Sequence, residues 1–98
     1  MRDIKVFKLI SGEELIAKVE STGYGFECET IATILMQQTK EGVGLALMPY
    51  MPYSEGIVKL HRHSIASEGT PSIKMVNEFN RLFGSGIEIA PASALIGL

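Results

Sequence analysis

Hydrophobic and polar residues alternate along most of this chain. Residues 6–10 and 15–19 each alternate with a period of two, the signature of a half-buried strand, and Ser11, Gly12 and Glu13 between them read as a tight turn. Gly12 supplies the positive φ that such a turn asks for. The chain therefore opens on a β-hairpin. After a turn at Ser21, Thr22 and Gly23, alternation resumes from Tyr24 to Gln38. Phe26, Cys28, Thr30, Ala32, Ile34 and Met36 fall on one face, with Glu27, Glu29, Ile31, Thr33 and Leu35 on the other. A run this long is expected to bend sharply or to carry a bulge. Turns at residues 40–42 and 54–56 introduce two more strands, over 43–50 and 57–66, making five in all.

The period changes only once. Met75, Val76, Phe79, Leu82 and Phe83 form a stripe at helical spacing, which predicts one helix over 71–83 with Thr70 as N-cap, Pro71 at its first position and Gly84 as its stop. An open end of the β structure is the expected cover for that stripe. Residues 87–98 form an apolar tail with small residues and a proline. The pattern predicts a mostly β, single-domain chain over 1–98, with five antiparallel strands in a small strongly bent barrel over 4–66, then the helix. Periodicity leaves the SH3, OB and Sm types of barrel open.

Composition adds an expectation of assembly. A chain of 98 residues buries only about two-thirds of its unfolded surface, and 46% hydrophobic content is high for a small monomer. No apolar run is long enough to cross a membrane, and the N-terminus lacks a signal-peptide core, so the expected location is cytoplasmic, without membrane contact. A formal net charge of −2 argues against indiscriminate duplex-DNA binding, which depends on neutralising phosphates. Any nucleic-acid site has to be local. The one basic concentration is Lys59, His61, Arg62 and His63.

Other residues that invite a chemical role have plainer readings. His61 and His63 have a spacing that suits zinc, but no third or fourth ligand is legible nearby, so no metal is expected. Cys28, the lone cysteine, reads as a small buried hydrophobe. Glu13 and Glu14 point to opposite faces of a strand and cannot share a proton. With no nucleophile and base set legible, neither enzyme activity nor a cofactor is expected. In the tandem MPYMPY at 48–53, the prolines read as a strand end, and Tyr50 and Tyr53 as interface or structural aromatics ahead of stacking platforms.

Two short stretches resemble the Sm-like family, and its bacterial Hfq branch in particular. In GEELIAKVES, the residues Gly12, Leu15, Ala17, Val19, Glu20 and Ser21 fill the places of the family's first motif in order. The second motif, Tyr-Lys-His-Ala-Ile in Hfq and Ile-Arg-Gly in Sm proteins, is matched by His61, Arg62, His63, Ser64 and Ile65. The resemblance implies an Sm-like barrel and a closed homo-oligomeric ring of about five to seven subunits. It also implies that Arg62 and His63 line the inner rim, contacting phosphate and base or ribose of single-stranded RNA or DNA. Tyr24 is the nearest candidate for base stacking. The chain departs from the family in having Gly23, Tyr24, Gly25, Phe26 and Glu27 where an aspartate and an asparagine of the usual uridine pocket are expected, so the resemblance leaves the base preference open. Its helix also follows the strands, whereas family members carry theirs before them. Small phage-encoded Sm-like proteins are the nearest kind, which would place the chain in the host-cell cytoplasm. The function expected is single-stranded nucleic-acid binding in RNA or DNA processing, with a protein-binding assembly ring as the alternative.

Overall fold

The computed structural model describes residues 2–84. Six strands, all paired antiparallel, precede one helix: β1 (Asp3–Leu9), β2 (Glu14–Ser21), β3 (Gly25–Thr39), β4 (Gly42–Pro49), β5 (Val58–His61), β6 (Ile65–Gly69) and α1 (Ile73–Phe83). The sheet order is β4-β3-β2-β1-β6, and β5 pairs with the first residues of β3. The opening hairpin turns as its sequence requires, with Gly12 at φ +103°. The residues of the expected tail, 87–98, lie outside the described residues.

The predicted fifth strand, 57–66, is two strands separated by a 3₁₀ turn at Arg62–Ser64. The reason is the pairing on either side: β5 lies against β3, whereas β6 lies against β1. One straight strand cannot serve both neighbours, so the chain breaks between them. The break is tied down by the Ser64 hydroxyl donating to the His61 carbonyl at 2.7 Å and by Ile10 N–H donating to the Ser64 carbonyl at 2.9 Å. The strand ladder itself is not closed; this turn links its two sides.

β3 carries the expected irregularity. Lys18 pairs with Thr30 but Val19 pairs with Cys28, leaving Glu29 as the extra residue of a bulge. Because side chains alternate, one extra residue reverses the faces beyond it. Phe26 and Cys28 therefore share a core with Ile31, while Ala32 and Ile34 face the other way. Uniform alternation had put Cys28 and Ala32 together.

The sheet thus has two apolar faces, each with its own cover. On one, Phe7, Leu15, Ala17, Val19, Phe26, Cys28, Ile31 and Leu60 pack together, with the Phe7 and Phe26 rings 5.0 Å apart. On the other, Ile16 and Ala32 are sealed by Phe79 of α1, flanked by Met75 and Phe83. The helix covers this second sheet face and not an open end. It starts two residues later than expected, because the Ser72 hydroxyl accepts the Met75 N–H at 3.2 Å and makes Ser72 the N-cap. Gly84 is the C-cap, as an extended residue at φ −65° and not as a left-handed stop. Pro49 closes β4; Tyr50 beyond it is half-buried against the first core, whereas Tyr53 is 96% exposed. Among the described residues no helix is long and apolar enough to cross a membrane.

Candidate nucleic-acid interface

The turn joining β2 to β3 builds one side of the candidate site. The Thr22 hydroxyl accepts N–H bonds from Tyr24 at 3.3 Å and Gly25 at 3.1 Å, and Thr22 N–H donates to the Gly25 carbonyl at 2.8 Å. This is the local turn chemistry that Thr favours. Gly25 stands at φ +151°, and a Cβ there would strike the Leu60 carbonyl and the Arg62 amide. The missing side chain lets the β5 backbone come close enough for Arg62 N–H to donate to the Tyr24 carbonyl at 2.8 Å.

That approach brings together the five residues singled out in the sequence. Gly25 pairs with His61 and Glu27 with Lys59, so Lys59 and His61 share one side of β5. The Tyr24 and His61 rings are 5.2 Å apart and tilted by 38°, and the His61 and His63 rings are 5.8 Å apart and tilted by 35°. Lys59 Nζ lies 5.9 Å from the Tyr24 ring centroid, within cation–π range. The Arg62 guanidinium donates to the Thr22 carbonyl at 3.3 Å. Lys59, His61, Arg62 and His63 are exposed, and Tyr24 is half-exposed. The result is a row of three rings flanked by two permanent cations.

Glu27 is in direct contact with this row. Tyr24 Oη donates to its carboxylate at 3.3 Å. Burial first, and then the Glu27 charge, push the Tyr24 phenol above its usual range, so it stays protonated at neutral pH. The nearby carboxylates of Glu20 and Glu29 pair with Arg2 at 3.6 and 3.8 Å, and Arg2 also donates to the Glu27 carbonyl at 3.2 Å. Arg62 takes part in none of the ion pairs among the described residues.

Thr22, Gly25 and Glu27 are the residues whose part in the site was not read from the sequence. Thr22 was read only as part of a turn with Ser21 and Gly23; the pairing of Gly25 with His61 was not legible, because it joins segments far apart in the chain. Among the described residues no group of three or more His, Cys, Asp or Glu side chains is placed to hold a metal ion. Cys28 is fully buried, which pushes its thiol up to about 11 and keeps it protonated and inert at neutral pH. Compared with known proteins, the chain matches no family model and no curated relative.

Proposed function

We propose that this chain is an Sm-like subunit whose sheet, joined across the Arg62–Ser64 turn, acts as a small bent barrel, and which assembles head-to-tail into a ring that binds single-stranded RNA. The observation that carries the reading is the exposed row of Tyr24, His61 and His63 with Lys59 and Arg62 beside it. Aromatic faces take unstacked bases and neighbouring cations take phosphates, the two contacts that single-strand binding needs. Free strand edges favour assembly. Among the described residues β4 and β5 each have β3 as their sole partner and β6 has β1, and edge-to-edge pairing between copies would satisfy two of these edges. A ring repeats the cluster once per subunit, and repetition offsets the overall charge of −2.

Arg62 is assigned to phosphate and base. Its planar guanidinium can pair with one and stack on the other, and its bond to the Thr22 carbonyl holds it at the turn. His63 is assigned to base or ribose. The test is native mass alongside single-stranded RNA titration at two salt concentrations, on the parent and on Arg62→Ala. The expected variant keeps the parent's mass, binds RNA at least tenfold more weakly, and loses affinity less steeply with added salt, because fewer counterions are released. His63→Ala is expected to weaken binding with little change in that slope. An Arg62→Ala assembly that binds as the parent does removes Arg62 from the site. A parent ring that binds no RNA at low salt leaves the protein-binding assembly ring in its place.

A further inference from the structure

Glu27 is at odds with the cations around it. Gly25 pairs with His61 and Glu27 with Lys59, and directly opposed residues share a face, so the Glu27 carboxylate lies on the side of the rings and cations of the row. It is partly exposed, and among the described residues it enters no ion pair. Two cations close by are engaged elsewhere. Lys59, its partner across the ladder, lies 5.9 Å from the Tyr24 ring centroid, and Arg2 donates to the Glu27 backbone carbonyl while its guanidinium pairs with Glu20 and Glu29. One carboxylate oxygen, Oε2, accepts the Tyr24 hydroxyl at 3.3 Å, which holds the group beside the phenol end of the ring. A carboxylate offers about four lone-pair positions, so acceptor capacity is left over.

An unneutralised carboxylate opposes phosphate binding, but beside stacking rings it has a base edge to read. A carboxylate only accepts hydrogen bonds, so it discriminates among bases by the donors they present. Among the four RNA bases guanine alone presents two adjacent donors, N1–H and the N2 amino group, which match the two oxygens of a carboxylate and make a charge-assisted pair. Uracil presents a single N–H between two carbonyl oxygens, which a carboxylate repels. Adenine and cytosine each offer one amino group beside a ring acceptor. We propose that Glu27 sets the base preference of the row, selecting a guanine stacked there with its Watson–Crick edge toward the Tyr24 hydroxyl. The inference rests on the reading of the row as a single-strand RNA site, and it supplies the base preference that the sequence resemblance leaves open. Tyr24 has a second part in it, since the hydroxyl it donates to Oε2 holds the carboxylate in place.

Uridine hexamers carrying one guanosine, one inosine or neither test it on the full chain, because a single purine reads a single site and forms no quadruplex. The parent is expected to bind the guanosine hexamer about tenfold more tightly than the all-uridine one. Inosine, which stacks alike but lacks the N2 amino group, is expected in between. Glu27→Gln keeps the size of the side chain and an oxygen for the Tyr24 hydroxyl. It is expected to bind the all-uridine hexamer more tightly than the parent does, because a negative charge beside the phosphates is gone, while its preference for guanosine falls to about twofold or less. Glu41→Gln, in the exposed turn between β3 and β4, removes the same charge elsewhere and is expected to keep the parent's preference. A parent that binds the three hexamers equally overturns the guanine preference and leaves the RNA reading standing. A Glu27→Gln variant that prefers guanosine as strongly as the parent overturns the role of Glu27. A parent that binds none of the hexamers at low salt removes the RNA reading, and the base preference with it.

Discussion

Gly12 and Gly25 both hold positive φ, at +103° and +151°, yet a side chain is disfavoured at each for a different reason. Around Gly12 a Cβ would meet nothing within 4 Å, so a side chain there costs backbone strain alone. At Gly25 the same atom would also drive into the β5 backbone. Gly12→Val is therefore expected to lose about 1–2 kcal/mol in urea unfolding, and Gly25→Ala about 3 kcal/mol or more, with the Arg62 amide signal shifted in the second case only. Equal losses would mean that the close approach at Gly25 is not tight. Cys28 makes a different kind of residue-level statement. Its thiol titrates at about 11 in the folded chain against 9.0 unfolded, so the unfolded state gives up its proton first as pH rises. The thiol's contribution is therefore intact below pH 9 and is lost through pH 11. Unfolding midpoints measured at about pH 8 and about pH 10.5 should diverge more for the parent than for Cys28→Ala.

At the scale of the element, α1 shows how a cap chooses a helix start. Thr70, Pro71 and Ser72 all precede the stripe, but the Ser72 hydroxyl is the one that reaches Met75 N–H. Ser72→Ala is expected to lower stability by about 1 kcal/mol, while Thr70→Ala changes it by only a few tenths. Thermal melts of the two variants side by side decide it, and a larger loss in Thr70→Ala would move the cap. The apolar stripe was legible because Met75, Phe79 and Phe83 recur at helical spacing. Which surface would receive it was not legible. That depends on the bulge at Glu29, which turns Ala32 and Ile34 toward the helix.

At the scale of the whole molecule, a small chain keeps large apolar side chains exposed on β3 and β4, and among the described residues β4, β5 and β6 each pair with a single strand. Both features favour assembly, and assembly links stability to concentration by mass action. The apparent melting temperature of the parent is expected to rise by several degrees over about a hundredfold increase in protein concentration. A melting temperature that stays flat would mean a monomer.

Local order came directly from the sequence. The hairpin at Gly12, the long third strand, the turn after Gln38 and the stripe of α1 each rest on near neighbours, and alternation or helical spacing exposes them. The basic cluster was equally visible, since Lys59, His61, Arg62 and His63 are almost consecutive. Tertiary structure decided where those pieces meet. One bulged residue exchanged the faces of β3, a change that alternation counted along one strand does not reveal because register is a property of the pair. The break at Arg62 arose because β5 and β6 answer to different partners, β3 and β1. Tyr24 came to stand beside His61 because Gly25 has no side chain to hold the two backbones apart, and the energetics of that contact belong to neither segment alone.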